Sequence, residues 1–470
     1  MSDVAERPPI VFLTIDSLRR DEVGCYGDRG ADYDLTPEID SLAADGVRFD
    51  AAISNAPNTL FSFLATLTST YPLAKKGNTA GRPAVAEELS DAGYRTAGFH
   101  SNPFLSRHYG FHRGFDVYHD FTDGSGDGDD DGGSSLTNRF FEMLNRTLHR
   151  SPLLHEYAKE TKNYFTPPYT RAGPINDAAT EHLRNVDFDD PQFVWVHYMD
   201  AHHPYLPTGK YRELPFLPDI SPFRTVDLAA KIDLVKHPEY DGARASVSER
   251  DVADLRALYR AQVKRTDDAV GEIVAELKRQ GIYEEACIVI ASDHGDEFLE
   301  HGSLGHSPQL YDELIHVPFI VKPPAEYDTV DAIEDLTAYL DIGPTFLDLA
   351  GTSAPDEMEG QSFLDALENG NTEREAVISE YANSGKRITS RRTLEWKYIL
   401  DDYHDREELF DLTTDSTEQT DCSPDRPEVL ESFRDAVRER MSHEEFDTDA
   451  SFDDDVDEEM RQQLEDLGYL

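Results

Sequence analysis

Short apolar segments rich in β-branched residues alternate with amphipathic segments along most of the chain. Helical spacing of apolar residues occurs at 84–92 and over the long stretch 249–279. Strands that alternate with helices predict an α/β domain with a mainly parallel central sheet flanked by helices. The five predicted buried strands are IVFLTI (10–15), YRTAGFH (94–100), QFVWVHYM (192–199), ACIVIAS (286–292) and VPFIVK (317–322).

The predicted α/β domain covers residues 1–364. In 365–443, strand-like alternation and the amphipathic stretch RPEVLESFRDAVRERM predict a small C-terminal α+β subdomain with an antiparallel sheet. Two acidic segments fit neither pattern: we interpret 122–135 as a solvated loop and 444–470 as an acidic, solvated tail. A calcium-binding loop at 122–135 is the minor alternative, because the spaced ligands and terminal Glu of an EF-hand are missing.

The chain is strongly acidic. It has 94 acidic and 44 basic residues, which gives a net charge of -50 at pH 7. That charge repels nucleic acid and anionic membranes and argues against both as partners. Only 12 of the basic residues are Lys, and acid spread along the whole chain predicts a halophilic protein whose self-repulsion is screened by concentrated salt. An acidic protein of ordinary salt conditions is the alternative.

The cysteines and the N-terminal sequence are used to predict the cellular compartment of the protein. Cys25, Cys287 and Cys422 form no close-spaced pair, so neither a disulfide framework nor a thiolate metal site is supported. No stretch approaches 18 uninterrupted apolar residues, and no basic region followed by an apolar run begins the chain. We therefore expect a soluble cytoplasmic protein without a membrane span, with an earlier-cleaved signal as the open alternative. The oligomeric state is not predicted.

Three of the predicted strands end in side chains of the kind that bind metals. Because the carboxyl ends of parallel strands meet at one edge of a sheet, we expect these side chains to lie close together. A lone Asp there is usually a cap or turn residue, but three such strand ends favour a site for a divalent cation. The residues are Asp16 after the first strand, Asp200, His202 and His203 after the third, and Asp293 and His294 after the fourth.

The segment SNAPNTLFSFLATLTSTYP (54–72) carries a candidate nucleophile. After Pro57 and Asn58, residues 59–68 are predicted to form a short helix with Thr59 at its N-terminus, where free backbone amides favour an anion. A metal-bound hydroxyl at this place would lose its proton more easily and could attack a phosphorus or sulfur centre. The alternative is that Thr59 is only an N-cap residue.

Four phrases occur in the order found in the sulfatase branch of the alkaline phosphatase superfamily: VFLTIDSLRRDEVGCYG, LTSTYP, HYMDAHHPY and SDHGDEFLEHG. The chain resembles this family over residues 8–415, which makes 1–364 its catalytic domain. The resemblance implies that Asp16, Asp293 and His294 bind a divalent metal, Mn, Zn or Ca. It also implies that Thr59 is the nucleophile and a candidate fourth ligand. One ion is expected, and two ions are the alternative.

Further residues are implied by their positions in the same motifs. His202 and His306 would contact the transferring group, protonate the leaving oxygen or bind a second metal. Asp200 and His203 are weaker candidates for the same roles. Lys76 lies near the position of a substrate-contacting basic residue in sulfatases, with an ordinary surface Lys as the alternative.

The nucleophile segment departs from the sulfatase pattern. Formylglycine sulfatases modify a Cys or Ser in a Cys-x-Pro-x-Arg signature, whereas this chain has Thr59, Phe61 and Phe63 at the Cys, Pro and Arg positions. Formylglycine is therefore not expected, and Thr favours phosphoryl transfer, because water would have to hydrolyse a Thr sulfate ester at an unreactive centre. We predict cleavage of a phosphate ester, a diester first, on a small or carbohydrate- or lipid-linked substrate. Alternatives are a sulfatase, a phosphoglycerol- or phosphoethanolamine-type transferase, and an inactive sulfatase-like binding protein.

Overall fold

An eight-stranded sheet and a separate four-stranded sheet organise the chain. The computed structural model describes residues 7–27, 32–74, 78–121, 152–236, 246–383, 385–442 and 458–467. Its strands are β1 (Ile10–Ile15), β2 (Val47–Ile53), β3 (Arg95–His100), β4 (Val117–Asp120), β5 (Gln192–Tyr198), β6 (Cys287–Ser292), β7 (Glu297–Phe298), β8 (Leu304–Gly305), β9 (Phe319–Lys322), β10 (Ala332–Ala338), β11 (Val377–Asn383), β12 (Lys386–Arg392), β13 (Trp396–Asp401) and β14 (Arg406–Asp411). Its α-helices are α1 (Pro37–Ala44), α2 (Thr59–Thr68), α3 (Val85–Asp91), α4 (Pro152–Phe165), α5 (Ala172–Asn185), α6 (Pro222–Lys236), α7 (Glu249–Gln280), α8 (Asp312–Ile315), α9 (Ile342–Leu349), α10 (Ala366–Asn369), α11 (Pro427–Ser442) and α12 (Glu458–Asp466).

The large sheet has the strand order β10-β2-β9-β6-β1-β5-β3-β4. Strand β1 pairs in parallel with β5 on one side and with β6 on the other, so the carboxyl ends of these three strands lie next to one another. Strand β9 departs from the parallel pattern, since it runs antiparallel to both β2 and β6. The predicted α/β fold with a mainly parallel central sheet is confirmed.

Every residue of β1, β5 and β6 is buried, because helices cover both faces of the sheet. Phe12 and Trp195 belong to one hydrophobic core, which includes residues of α2, α3 and α9. Leu13 and Val196 belong to a second core on the opposite face, which includes residues of α1, α5 and α7. Burial on both faces explains why these strands read as continuous apolar runs rather than as alternating patterns.

The C-terminal region forms the predicted antiparallel sheet, in the order β11-β12-β13-β14. Helix α11 covers it: Phe433 and Val437 pack with Tyr398 and Leu409 of the sheet. An α+β C-terminal subdomain is therefore present. The boundary at 364 stays a prediction.

The end of the chain differs from the predicted solvated tail. Residues Leu464 and Leu467, at the end of α12 and just after it, are fully buried. Asp466 forms an ion pair with Lys162 of α4, and its carbonyl accepts a hydrogen bond of 2.9 Å from Asn163. The two leucines are three residues apart, which places them on one face of the helix. Their burial thus holds this segment against the protein despite the acidic residues around it. The segment 122–135 lies outside the described residues, and no helix in the described ranges is long and apolar enough to cross a membrane.

Candidate active site

The carboxyl ends of β1 and β6 bring Asp16, Asp293 and His294 together. Ile15 pairs with Ser292 across the two strands, so the residues that follow each strand leave the sheet side by side. His294 Nε2 lies 3.6 Å from Asp16 Oδ1 and 3.6 Å from Asp293 Oδ2. All three side chains are buried, and their potential ligand atoms lie within 4.8 Å of one another. The three residues predicted as metal ligands thus form one compact group.

The turn after β1 is held in place from two sides. The backbone amide of Ser17 donates to Asp293 Oδ1 at 3.1 Å, and the amide of Leu18 donates to Ser292 Oγ at 2.9 Å. From α7, the hydroxyl of Tyr259 accepts from the amide of Arg19 at 2.8 Å and donates to the carbonyl of Ser17 at 2.9 Å. These bonds position Asp16 without using its carboxylate.

Three other side chains approach Oδ2 of the Asp16 carboxylate. Its Oδ2 accepts a 2.9 Å hydrogen bond from Asn102 Nδ2, just beyond β3. Thr59 Oγ1 donates to the same oxygen at 3.2 Å, and His197 Nε2 of β5 lies 3.4 Å from it. The fully buried carboxylate is therefore surrounded by hydrogen-bond donors.

The two buried carboxyl groups titrate very differently. Burial by itself would raise the pKa of Asp16, but the neighbouring His202 and the hydrogen bond from His197 hold that pKa well below its usual range. Burial, and then the charge of Asp16, raise the pKa of Asp293 well above its ordinary value. Two crowded carboxylates and an imidazole form a donor set that fits a divalent cation, because the cation would remove the repulsion between them. Asp16, Asp293 and His294 would hold it.

Thr59 is the first residue of α2, and this helix has the predicted bounds 59–68. Asn58 is its N-cap, since Asn58 Oδ1 accepts a 3.2 Å hydrogen bond from the amide of Phe61. The hydroxyl of Thr59 therefore does not serve as the cap. It points to the carboxylate of Asp16 and also lies 3.4 Å from His294 Nε2.

The neighbouring hydroxyl groups are occupied elsewhere. Ser54 Oγ and Ser62 Oγ both donate to the carbonyl of Asp293, at 2.7 Å and 2.8 Å. These bonds fix the start of the loop that carries Asp293 and His294. Ser54 and Ser62 contact only the backbone of Asp293 in these bonds, whereas the hydroxyl of Thr59 contacts the side chains of the predicted ligands Asp16 and His294.

A second group of side chains adjoins the first. Potential ligand nitrogens of His202, His203 and His306 lie within 4.8 Å of one another. The ring of His306 lies 4.5 Å, centroid to centroid, from that of His294. His306 Nδ1 is also 3.2 Å from Asp296 Oδ1. His202, His203 and His306 thus lie on the same rim as the carboxylate group, as predicted.

Asp200 does not join either group. Its Oδ2 accepts a 2.7 Å hydrogen bond from the amide of Ala172, the first residue of α5, and its Oδ1 lies 3.5 Å from Arg265. Burial raises the pKa of Asp200, although Arg265 opposes the increase. Asp200 belongs to none of the metal-competent groups in the described residues, and its place in the site stays a prediction. Lys76 lies outside the described residues.

Three residues in contact with the site were missed from the sequence: Asn102, His197 and Asp296. The rule that ligands follow strand ends would have found Asn102, two residues after β3, had it been applied there. His197 is a polar residue within an otherwise apolar strand, which is a weaker signal. Asp296 was masked by the charged residues around it in SDHGDEFLEHG.

Comparison with known proteins identifies the family. The sulfatase family model matches residues 8–352. The chain belongs to the sulfatase family. A further model, described as N-sulphoglucosamine sulphohydrolase, C-terminal, matches residues 300–445.

Relatives of this sulfatase-family chain are distant. It is 24% identical to an arylsulfatase of Clostridium perfringens (strain 13 / Type A), over 95% of this chain and 97% of that protein. It is 25% identical to the uncharacterized sulfatase YidJ of Escherichia coli (strain K12), over 76% of this chain and 71% of that protein. The match to arylsulfatase K of Mus musculus is 28% identical and covers 42% of this chain. It spans only 37% of the arylsulfatase K chain.

Solved structures share the fold. The phosphonate monoester hydrolase of Agrobacterium radiobacter has a TM-score of 0.69 at 19% identity, covering 93% of this chain and 96% of that one. A protein solved with its substrate D-glucosamine-2-N,6-O-disulfate has a TM-score of 0.68 at 18% identity, covering 93% of this chain and 98% of that one. At such identities the likeness shows the sulfatase-like fold alone.

Proposed function

We propose that this sulfatase-family protein is a metal-dependent hydrolase of phosphate esters with Thr59 as its nucleophile. The observation that carries the proposal is the position of Thr59 Oγ1, 3.2 Å from Asp16 Oδ2 and 3.4 Å from His294 Nε2. A hydroxyl at a helix start, in contact with a metal-competent group, has both an activating neighbour and an anion-binding environment.

Several residues of the chain have distinct roles in the proposed reaction. The hydroxyl of Thr59 donates to Asp16 Oδ2, and this hydrogen bond orients the oxygen for attack. The first backbone hydrogen bond of α2 runs from the amide of Ser62 to Asn58, so the amides of Thr59 and Leu60 precede the helical ladder and can bind phosphoryl oxygens. A divalent cation held by Asp16, Asp293 and His294 would lower the pKa of the hydroxyl and neutralise negative charge on the phosphoryl oxygens.

In-line attack by Thr59 Oγ on phosphorus breaks the bond to the leaving oxygen and forms a phosphothreonine. Water then cleaves the bond between phosphorus and Thr59 Oγ, which releases phosphate or a phosphate monoester and restores the hydroxyl. His306, whose ring lies beside that of His294, and His202, whose ring lies beside that of His306, are proposed to act on the oxygens of the transferring group.

Phosphorus rather than sulfur is proposed because of the side chains around Thr59. The ring of Phe63 lies 5.0 Å from that of His197 and 5.3 Å from that of Trp195, so an apolar contact occupies the position of the signature Arg. Thr cannot form the aldehyde of formylglycine, and its ester must be resolved by water, which attacks a phosphothreonine far more readily than a sulfate ester. A sulfatase acting on sulfate esters is the second candidate, favoured by the relatives named as arylsulfatases.

The substrate is proposed to be a small or carbohydrate- or lipid-linked ester, with a phosphodiester first. The named relatives and structural neighbours include enzymes of phosphonate monoesters and of a sulfated sugar, which are small anions. The net charge of -50 argues against a nucleic acid substrate.

The test is a panel of nitrophenyl phosphate monoester, phosphate diester, phosphonate and sulfate, assayed at high salt with several divalent cations. We expect Thr59→Ala to lose nearly all phosphodiester cleavage, roughly 1,000-fold or more, while it still binds metal. Thr59→Ser should keep part of the activity. Asp16→Ala and Asp293→Ala should each lose bound metal and activity together.

Thr66→Ala is the matched control. Thr66 is buried in the same helix, but its hydroxyl donates to the carbonyl of Ser62, so its loss should leave turnover unchanged. Wild-type turnover by Thr59→Ala would remove Thr59 as nucleophile. Preference of the wild type for aryl sulfate over every phosphate ester would assign the protein to the second candidate.

A further inference from the structure

His197 lies in the interior of the central sheet, near the carboxyl end of β5. It pairs in register with Thr14 of β1, two residues before Asp16. The side chains of His197, Thr14 and Trp195 are buried, with exposed fractions of 0%, 2% and 0%. Polar groups buried among apolar strands are costly unless they find hydrogen-bond partners. The partners of these three side chains therefore indicate the role of His197.

A chain of polar contacts leads from the interior of the sheet to Asp16. Trp195 Nε1 donates to Thr14 Oγ1 at 3.0 Å. The same Oγ1 lies 3.0 Å from His197 Nδ1. On the other side of the imidazole, His197 Nε2 lies 3.4 Å from Asp16 Oδ2. The chain of contacts thus ends on the carboxylate oxygen that accepts a hydrogen bond from Thr59.

The chemistry of its two ends gives this chain of contacts a direction. An indole nitrogen can only donate, and an ionised carboxylate can only accept. A neutral His197 ring therefore carries its proton on Nε2, which faces Asp16. Its Nδ1 then has the lone pair that accepts the hydroxyl proton of Thr14. The carbonyl of Val196, at 3.3 Å, is a more distant acceptor for the same hydroxyl. Each donor thus points toward Asp16.

Two aromatic rings pack against the imidazole of His197. The ring of Phe63 lies 5.0 Å from it in an edge-to-face arrangement, and the ring of Trp195 lies 6.3 Å from it. Phe63 is part of α2, the helix that begins with Thr59. The imidazole is therefore held between the strand that carries it and the helix of the proposed nucleophile. At the position of the signature Arg, this chain thus has an apolar contact that fixes His197.

The two oxygens of the Asp16 carboxylate have different neighbours. Besides His197, Asn102 Nδ2 at 2.9 Å and Thr59 Oγ1 at 3.2 Å approach Oδ2. Oδ1 lies 3.6 Å from His294 Nε2, on the side of the proposed cation. Rotation of the carboxylate would displace both oxygens at once. A donor to Oδ2 that is itself held in place therefore keeps one oxygen beside Thr59 and the other on the cation side.

We propose that His197 is a positioning residue for the nucleophile, because it fixes the Asp16 oxygen that accepts from Thr59. Thr14 and Trp195 hold the His197 ring in the orientation and tautomer that this role requires. The inference deepens the proposed function and rests on it, since a fixed acceptor affects turnover only if Thr59 attacks. It gives a role to side chains within β1 and β5 that lie behind the site.

Nitrogen NMR of the full-length protein with ¹⁵N-labelled histidine tests the tautomer without reference to activity. Two-bond nitrogen–hydrogen correlations distinguish a ring protonated on Nε2 from one protonated on Nδ1, and the signal missing in His197→Phe assigns the ring. We expect His197 to be protonated on Nε2, with Nδ1 accepting a hydrogen bond. In Thr14→Val the Nδ1 resonance should move to that of a free lone pair, whereas Thr14→Ser should keep the wild-type resonance.

Kinetics at saturating divalent cation test the positioning role, with the phosphate ester that the wild type cleaves best. We expect His197→Phe to lower kcat by about 10- to 100-fold and to leave KM nearly unchanged. His197→Gln should recover most of this loss, because its amide nitrogen can replace Nε2 as the donor to Asp16. Thr14→Val should fall between the wild type and His197→Phe, and Thr14→Ser should turn over like the wild type.

His182→Phe is the matched control. Its ring packs 5.6 Å from that of Phe99, which belongs to the second core, on the face of the sheet opposite Phe63 and Trp195. The same exchange of imidazole for phenyl should therefore leave kcat and KM unchanged. Circular dichroism checks that each variant is folded, and the tautomer of the wild type needs no folded variant other than the one that assigns it.

The outcomes separate this inference from the proposed function. A wild-type His197 protonated on Nδ1 alone, or a wild-type kcat in His197→Phe, would overturn the positioning role and leave the proposed function standing. Equal losses in His197→Gln and His197→Phe would also overturn it, since the ring would then act only by packing. Wild-type turnover by Thr59→Ala would remove the proposed function, and the positioning role with it.

Discussion

Asn102 fixes the orientation of the Asp16 carboxylate. Its Nδ2 donates to Asp16 Oδ2 at 2.9 Å, while its Oδ1 accepts from the amide of Phe104 at 3.0 Å. The side chain is thus held at one end by a local backbone bond and positions a proposed metal ligand with the other. Contacts of this kind commonly tune metal affinity without touching the metal.

We expect Asn102→Ala to weaken cobalt binding at the proposed metal site of Asp16, Asp293 and His294 by about 10- to 100-fold. Loss of the bond to Phe104 should also lower the free energy of unfolding by about 1 kcal/mol, which does not change the affinity of the folded protein. Isothermal titration with Co²⁺ measures the first effect. Asn185→Ala is the control, since the exposed Asn185 side chain only bonds the carbonyl of Glu181. Equal cobalt affinity in both variants would contradict a positioning role.

Among individual residues, the sequence identified those that directly follow a strand, because their location depends only on where that strand ends. Asp16, Asp293 and His294 follow apolar strands directly, so knowledge of the strands was enough to group them. His197 was missed because its role depends on register. Its pairing opposite Thr14 in β1 brings its ring beside Asp16, and strand register could not be read from one sequence.

At the scale of elements, the C-terminal sheet is joined to the large domain by buried charges. Lys397 of β13 is fully buried and lies 2.8 Å from Asp312 of α8 and 2.7 Å from Glu418. Arg392 of β12 lies 3.0 Å from Asp312. Burial alone would raise the pKa of Asp312, but Arg392 and Lys397 hold that pKa far below its usual range.

We expect Lys397→Met to lower the free energy of unfolding by about 3–5 kcal/mol, because Asp312 and Glu418 would be left buried with less positive charge. Urea denaturation measures the change. Lys210→Met is the matched control: Lys210 is 72% exposed and pairs with Asp268 at 2.6 Å, so its loss should amount to less than about 1 kcal/mol. Similar losses in the two variants would refute the assigned role of Lys397.

His301 makes the same junction sensitive to pH. Its ring stacks on that of Tyr311 at 3.5 Å, its Nδ1 lies 2.5 Å from Glu313 Oε1, and its Nε2 lies 2.9 Å from the carbonyl of Glu418. Burial lowers the pKa of His301, but the bond to Glu313 outweighs it and raises the pKa to about 8. The folded-state pKa is above the ordinary value of about 6.5, so protonated His301 stabilises the fold below that value, and this stabilisation is lost as pH rises through about 8.

We therefore expect His301→Gln to lower the free energy of unfolding more at pH 6 than at pH 9. The difference should be roughly 1 kcal/mol after discounting for solvent screening, since the side chain is partly exposed. Urea denaturation of wild type and variant at the two pH values measures it, and subtraction removes the titration of other groups. An equal loss at both pH values would show that charge on His301 does not stabilise the junction.

Strands were predicted accurately where both of their faces are buried. Strand β1 was predicted with its observed bounds, and β5 and β6 to within one residue, because both faces of these strands are buried. Strands β2 and β10 were missed. Their sequences VRFDAAI and AIEDLTA contain charged residues within the strand, and β10 lies at the edge of the sheet. The antiparallel direction of β9 was not predictable, because an apolar run does not record strand direction.

At the scale of the whole molecule, the few lysines do not offset the acidic surface. Lys159, Lys322 and Lys397 are buried, and Lys159 and Lys397 each contact at least two carboxylates. Acidic residues outnumber basic ones by 94 to 44, so the surface carries an excess of negative charge that these lysines do little to offset. Repulsion among such exposed charges opposes the compact state and is sensitive to salt.

We expect the free energy of unfolding to rise steadily as KCl is increased from about 0.1 M to about 1 M, since the Debye length falls from about 10 Å to about 3 Å over that range. Urea is the suitable denaturant because it is uncharged, so KCl alone sets the ionic strength. The effect of Lys397→Met supplies the internal control. Its partners are buried and weakly screened, so the difference between wild type and variant should stay nearly constant while both curves rise. A wild-type stability that is flat or falls with KCl would contradict a fold limited by surface repulsion, and with it the halophilic interpretation of the composition.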